Sequence, residues 1–197
     1  MVQKFIRVAA AAALAVLAVP ALGQPSDGYT FLKAIKEGDG NKVAEMVDSS
    51  GPTVVNAKER GTGDGALHIV VRNRNLNWLT FLIGKGSRPD MQNGAGETPL
   101  GLAAQIGWVE GAQMLLDRRA SIDIANNRGE TPLIMAVQRR DLAMTSLLVR
   151  KGANPKRADR VAGYSALDYA KRDARSAAIV KILETPVKAA PVQGPKR

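Results

Sequence analysis

The sequence predicts an all-α fold: a solenoid of about five stacked helix-turn-helix units joined by hairpin-like loops. Two observations carry this prediction. The motif Gly96–Leu100 recurs 33 residues later as Gly129–Leu133. Related anchors flank it, with Leu67 one period earlier and Leu167 34 residues after the second copy. A unit of this size cannot bury its own apolar face, so repetition at this period indicates units stacked against one another.

The composition supports a folded chain and excludes much catalytic chemistry. Of 197 residues, 45% are hydrophobic, 23% are charged and only 4% are aromatic, so the core must consist mainly of small and aliphatic side chains. The chain contains no cysteine, which excludes disulfides, cysteine-ligated metals and cysteine nucleophiles. His68 is the single histidine, which excludes motifs that need two.

The N-terminal segment is predicted to be a secretory signal peptide over residues 1–23. Its first seven residues carry two cations and no acid, and the uninterrupted apolar run Val8–Val19 follows. Ala21 and Gly23 are small residues at the positions expected for cleavage before Gln24. The run is short for a bilayer-spanning helix, which needs about 20 residues, so an uncleaved N-terminal anchor is the less favoured alternative.

Residues 96–128 illustrate how each unit is predicted to fold. Thr98 can cap a helix N-terminus and Pro99 suits the first helical position, where an N–H is not needed. Gly107 is expected to end this helix, and Val109–Leu116 forms the second one. The polar, glycine-containing stretch Asp123–Gly129 is then predicted to turn back toward the next unit.

The same pattern divides the rest of the chain. Partial matches flank the three clear copies, so terminal capping units are expected at both ends. The last twelve residues hold three prolines and three cations without periodicity, and are predicted to be disordered. The predicted repeat domain spans 24–185, with an N-terminal cap at 27–62, repeats at 63–95, 96–128 and 129–162, a C-terminal cap at 163–184, and a tail at 186–197.

These motifs resemble the ankyrin repeat over about residues 29–184. Gly65-Ala66-Leu67-His68 and its copies match the family's Thr-Pro-Leu-His motif, and alanine pairs, a glycine turn and a leucine-rich second helix follow. The resemblance implies that His68 hydrogen-bonds between adjacent loops. Arg119 stands where the family has glycine, so that turn is expected to be strained. The loops at 56–63 and 156–163 each hold one extra residue, so their tips are expected to differ in shape.

We expect no enzymatic activity, cofactor or metal. Gly84-Lys85-Gly86-Ser87 lacks the spacing of a phosphate-binding loop and is predicted to be a helix terminus. A catalytic role for His68 would need a nucleophile and an orienting acid, and the sequence offers no such setting. The resemblance implies instead a protein-binding module, and we expect it to be a monomer.

Positive charge is concentrated in the C-terminal third. Residues 24–130 hold 12 basic and 13 acidic side chains, whereas residues 131–197 hold 14 and 5. Three interpretations stay open at this stage: charge that only keeps the surface soluble, a patch for an acidic protein partner, or a patch for anionic lipid headgroups. Nucleic acid is the least favoured partner, because aromatic residues do not alternate with the cations.

The resemblance also implies where a partner would bind, since ankyrin-repeat proteins use the hairpin tips and the exposed positions of each first helix on their concave face. Trp108 is added as a candidate anchor, with packing over the next repeat's turn as the alternative. Trp78 is predicted to lie in the core, with Gly111 leaving room for its ring. The candidate residues are Asp64, Arg72, Asn73, Gly94, Ala95, Glu97, Gln105, Ile106, Trp108, Asn127, Arg128, Glu130, Gln138, Arg139, Tyr164, Lys171 and Arg172.

The sequence therefore predicts a non-catalytic interaction module resembling the exported ankyrin-repeat proteins of Gram-negative bacteria, located in the periplasm. Two alternatives stay open: an adaptor that docks on an anionic membrane surface through its basic C-terminal third, and a secreted effector.

Overall fold

The computed structural model describes residues 26–185, so the predicted signal peptide at 1–23 and the predicted tail at 186–197 lie outside the described residues. Within that range the chain forms ten α-helices and no strand, which confirms the all-α solenoid. The helices are α1 Asp27–Glu37, α2 Gly40–Ser50, α3 Ala66–Arg72, α4 Leu76–Gly84, α5 Pro99–Ile106, α6 Val109–Asp117, α7 Pro132–Gln138, α8 Leu142–Arg150, α9 Ala166–Arg172 and α10 Ala177–Glu184.

The helices are arranged as five pairs in two layers. Each odd-numbered helix packs against the even-numbered helix that follows it, and α3, α5, α7 and α9 also contact one another in sequence. In the second layer α4, α6, α8 and α10 do the same. Short 3-10 helices at Gly51–Asn56 and Ala174–Ser176 complete the two terminal pairs. No helix within 26–185 combines the length and the apolar character that crossing a bilayer requires.

Side-chain caps begin the helices where the sequence pattern predicts. The Thr98 hydroxyl accepts a hydrogen bond from the Gly101 amide at 3.0 Å, and Pro99 follows at the first helical position. Thr131 accepts from the Ile134 amide in the same way. These caps occupy amides that lack a partner inside the helix, so each short helix has a defined start.

The core consists mainly of aliphatic and small side chains, as the low aromatic content requires. Leu100 and Leu133 are fully buried at equivalent positions of α5 and α7. Ala103 and Ala136 are also fully buried, and their small size allows neighbouring helices to approach closely. The helices α3, α5 and α7 therefore contact their neighbours along most of their length and leave only their last residues exposed or half-buried.

Backbone hydrogen bonds connect successive hairpin tips. The Gly94 amide donates to the Thr62 carbonyl at 2.8 Å, Asn127 to Ala95 at 3.0 Å, and Arg160 to Arg128 at 2.9 Å. The two loops with an extra residue do differ in shape, because they form the isolated antiparallel bridges Lys58–Gly65 and Ala158–Ser165. The tips consequently form one continuous edge beside the first helix layer.

Three arginines adopt left-handed backbone conformations. Arg119 has a φ of 65°, as its place in a glycine position predicts. Arg74 and Arg140, with φ of 50° and 55°, occupy the position that Gly107 takes between α5 and α6. The Arg74 side chain donates to the Ile106 carbonyl at 2.6 Å, and Arg140 pairs with Asp173, whose pKa this hydrogen bond lowers to about 2. Both side chains thus connect one unit to the next.

Candidate partner-binding face

The hairpin tips and the C-terminal ends of α3, α5, α7 and α9 form a surface that we call the candidate face. It brings together most of the residues predicted to bind a partner. The exposed members are Arg72, Asn73, Gly94, Ala95, Gln105, Asn127, Arg128, Gln138, Arg139, Lys171 and Arg172. The half-buried members are Glu97, Ile106 and Tyr164. The buried ones are Asp64, Trp108 and Glu130.

Asp64 is 6% exposed, so the prediction that it faces a partner is wrong. Its carboxylate accepts from the Asn93 side-chain amide at 2.9 Å and from the Arg72 guanidinium at 3.1 Å. Arg72 ends α3, which begins just after Asp64, whereas Asn93 lies in the next hairpin. The carboxylate therefore joins two hairpins. Because its charge is buried, it needs hydrogen-bond partners of this kind.

The same correction applies to Glu130, which is 7% exposed. It accepts from the Asn126 side-chain amide at 2.9 Å and from the Gln138 amide at 3.3 Å. Arg128 also pairs with it, at 3.4 Å. Glu130 is thus occupied by contacts with its own hairpin and with the end of α7, although Gln138 and Arg128 beside it are exposed.

Trp108 is 6% exposed, so it is not an exposed anchor. A methyl group built at Gly111 would lie 2.1 Å from the Trp108 Cε3 atom, which shows that the indole lies over its own helix at this glycine. The space at Gly111 therefore belongs to Trp108 and not to Trp78. Trp78 is half-buried against the core, with its ring edge-on to Phe81 at 5.9 Å.

His68 has the structural role that the sequence predicts. Its ring is fully buried, its Nδ1 accepts from the Gly65 amide at 3.2 Å, and its Nε2 donates to the Glu97 carbonyl at 2.9 Å. Burial lowers the pKa of His68 and favours the neutral ring. His68 therefore links the first hairpin to the second.

Three residues that organise the hairpin tips were missed by the sequence reasoning: Asn93, Asn126 and Asp159. The Asn93 Oδ1 accepts from the Ala95 and Glu97 amides at 3.0 and 2.9 Å. Asn126 and Asp159 accept from the amides of the corresponding turns in the next two hairpins. The 33-residue spacing of these three residues could have identified them, because Asn and Asp side chains stabilise turns by accepting hydrogen bonds from the backbone amides that follow them.

Two cations near the N-terminal end of the candidate face are paired with acids. Arg72 is held by Asp64, and Lys36 by Glu59. The hydrogen bond from Lys36 lowers the pKa of Glu59, which favours its charged form. These residues line an open groove of about 350 Å³. Its charges are largely neutralised by contacts within the chain.

The C-terminal end of the candidate face differs in its charge. Arg139 and Arg172 are exposed, and neither forms an ion pair with another of the residues 26–185. Lys171 pairs with Glu184 at 2.8 Å. The guanidinium carbon of Arg172 lies 4.5 Å from the centre of the Tyr164 ring. Unpaired positive charge and an aromatic surface thus occur together at this end.

The arrangement offers exposed polar groups, positive charge and an aromatic ring as binding contacts. Within the described part of the chain, no group of three or more His, Asp or Glu side chains could hold a metal ion. A comparison with protein-family models matches a model described as ankyrin repeats, in three copies, at residues 31–126 and again at residues 67–159.

Proposed function

The chain belongs to the ankyrin-repeat family, and we propose that it is a non-catalytic module that binds an acidic segment of a partner protein through the C-terminal end of the candidate face. Ankyrin repeats generally mediate protein–protein interaction. Their shared fold does not specify a partner, so the choice of an acidic one rests on the exposed side chains of this chain.

One observation carries this proposal: Arg139 and Arg172 are exposed on neighbouring units, and neither forms an ion pair with another of residues 26–185. The pKa of Asp168 is lowered mainly by hydrogen bonds from Ser165, and the nearby charges of Lys171 and Arg172 add to this effect. Arg72 has the same position in the first repeat as Arg172 has in the C-terminal cap, but its charge is neutralised by Asp64 at 3.1 Å. An unpaired arginine attracts a carboxylate over a longer range and retains its hydrogen-bond donors for it. An acidic segment would therefore be drawn to the C-terminal end of the face.

We further propose that the mature protein acts in the periplasm. The support is the three-part N-terminal pattern and the apolar run Val8–Val19. Secretion beyond the cell, as an effector, is the alternative. Fractionation of cells that produce the full chain tests the proposal, because a mature form starting at Gln24 in the periplasmic fraction is expected. An uncleaved protein in the cytosol would contradict it.

The binding proposal is tested by capture from the envelope fraction. The mature chain is cross-linked to its surroundings and the captured proteins are identified by mass spectrometry. The Arg139→Glu/Arg172→Glu double variant is expected to lose the dominant partner. The matched control is Arg118→Glu/Arg150→Glu, which changes the net charge equally at exposed ends of the second helix layer. Equal capture by all three proteins would contradict the proposal.

A membrane-surface adaptor is the second candidate, favoured by the 14 basic and 5 acidic residues of 131–197. Binding of the mature chain to vesicles with anionic lipid, falling steeply with added salt, would support it. Capture of a protein that depends on Arg139 and Arg172, without vesicle binding, would favour the protein-binding module.

A further inference from the structure

One pair of positions changes its chemistry in the last unit. The residue just before the helix-capping residue is acidic in the three repeats: Asp64, Glu97 and Glu130. In the C-terminal cap the equivalent residue is Tyr164. The residue eight positions further on ends or nearly ends the first helix and is polar in all four units: Arg72, Gln105, Gln138 and Arg172.

Where the acid is present, the unit can satisfy this polar residue itself. Arg72 donates to Asp64 at 3.1 Å, and Gln138 donates to Glu130 at 3.3 Å. In the last unit the tyrosine replaces the acid, and Arg172 lies over its ring instead. This contact is not an ion pair, so it leaves the N–H groups of the guanidinium available to a carboxylate.

A second tyrosine contacts the Tyr164 ring. Tyr169 lies edge-on to it, with the ring centres 5.5 Å apart. The Tyr169 hydroxyl donates to Asp159 at 2.6 Å, and this hydrogen bond raises the pKa of Tyr169. Asp159 is 6% exposed and also accepts from three amides of its own turn. The ring is therefore positioned before any ligand arrives, which reduces the ordering cost of binding.

We propose that Arg172 and Tyr164 form a carboxylate clamp that binds a glutamate or aspartate side chain of the partner's acidic segment. The inference rests on the proposed function and names the contact that recognises the partner. Arg172 supplies paired N–H donors to both carboxylate oxygens, in the position that Asp64 occupies relative to Arg72. Arg139, on the preceding unit, adds a second unpaired positive charge.

The clamp is tested with a defined probe, fluorescently labelled hexaglutamate, against hexaglutamine as its uncharged counterpart. Tyr164→Glu restores the acid found in the other units, so Arg172 should be neutralised from within. We expect this variant and Arg172→Lys to bind hexaglutamate about tenfold more weakly, since each loses charge-assisted hydrogen bonds from the guanidinium to the carboxylate. Perturbation of the Arg172 Nε–Hε signal in NMR spectra locates the contact.

Two variants serve as controls. Tyr164→Phe keeps the aromatic ring and is expected to bind as the natural chain does. Arg72→Lys makes the same change at the equivalent position, where Asp64 already occupies the arginine, and should leave affinity unchanged. Thermal unfolding of each variant shows whether it is folded.

Several outcomes would overturn the clamp. These are equal hexaglutamate affinity of the natural chain and Tyr164→Glu, an equal loss in Arg72→Lys, or no binding of hexaglutamate at all. Stronger competition by inorganic phosphate than by glutarate would identify a phosphate site instead. Binding of anionic vesicles that needs Arg172, without hexaglutamate binding, would identify a lipid surface.

The clamp and the proposed function fail separately. Capture of a partner that depends on the double charge reversal but not on Tyr164→Glu would retain the binding module and remove the clamp. Hexaglutamate binding that needs Arg172, with no variant-dependent partner in the envelope fraction, would retain the clamp and contradict the proposed function.

Discussion

His68 is the residue whose surroundings most directly couple stability to pH. The fully buried ring accepts from Gly65 and donates to Glu97, so only the neutral form satisfies both contacts. Burial lowers the pKa of His68, while the nearby charges of Asp64 and Glu97 raise it and that of Arg72 lowers it. The net shift is downward, and the unfolded chain therefore binds this proton more readily.

We expect the free energy of unfolding to fall as the pH drops through the ordinary histidine pKa of about 6.5. The contribution of His68 is fully present above that pH and is lost below it. His68→Gln cannot titrate, so urea unfolding of this variant at pH 7.5 and pH 5.5 should differ less than for the natural chain. The free energy of unfolding of the variant at pH 7.5 should also be about 1–3 kcal/mol lower than that of the natural chain, because buried hydrogen bonds are broken. Identical pH dependence of the two proteins would show that another group is responsible.

The turns that end the helices differ in how they tolerate a left-handed residue. Gly86 and Gly152, with φ of 94° and 95°, meet this requirement without strain, whereas Arg119 at the equivalent position has a φ of 65°. Arg74 and Arg140 offset the same cost with hydrogen bonds to the next unit. Arg119 is exposed and forms no ion pair with the other described residues, so no ion pair of its side chain offsets the cost of its left-handed backbone.

Arg119→Gly is therefore expected to stabilise the chain by up to about 1 kcal/mol, because a left-handed conformation costs a side-chain-bearing residue about 1–2 kcal/mol. Urea unfolding measures the change. The neighbouring Arg118, with a φ of −97°, provides the control. Arg118→Gly should destabilise the chain by about 0.5–1 kcal/mol, because glycine loses more conformational entropy on folding. Equal effects of the two substitutions would contradict the role assigned to the left-handed turn.

At the scale of the whole molecule, stability comes from stacking between adjacent units. The helices α5 and α7 contact first-layer helices on both sides, whereas α1 and α9 have such a neighbour on one side only. In a solenoid the stability of a unit depends on its own contacts and those with its nearest neighbours. The central units should therefore open last.

Hydrogen exchange followed by mass spectrometry tests this expectation. Backbone amides of α5 and α7 are expected to exchange most slowly, and those of α1 and α10 most rapidly. Leu133→Ala, which removes a fully buried side chain of α7, should cost about 2–5 kcal/mol. It should also accelerate exchange in the adjacent α5 and α9. Uniform exchange along the chain would show a single cooperative unit.

The period of the sequence is sufficient to determine the helix pairs, and the reason is local. The start and end of α5 are set by contacts within a few residues, at Thr98, Pro99 and Gly107. The equivalent residues Thr131 and Pro132 begin α7 in the same way. The altered shape of the loops at 56–63 and 156–163 also follows from spacing, because each holds one extra residue. The role of His68 follows from the resemblance to the ankyrin repeat. The excess charge of the C-terminal third is likewise a property of composition.

Only the tertiary structure decided which polar and aromatic side chains face solvent. Asp64 is buried because Asn93, 29 residues away, reaches it from the next hairpin. Trp108 is buried because its ring can lie on Gly111. The pattern of polar and apolar positions in the sequence does not predict this contact. The repeat period does not predict the contact between Arg172 and Tyr164 either. This contact arises because a tyrosine replaces the acidic residue that the three repeats have at the position of Tyr164. Burial depends on contacts between units, so the sequence by itself determined the scaffold and the structure decided which side chains the candidate face exposes.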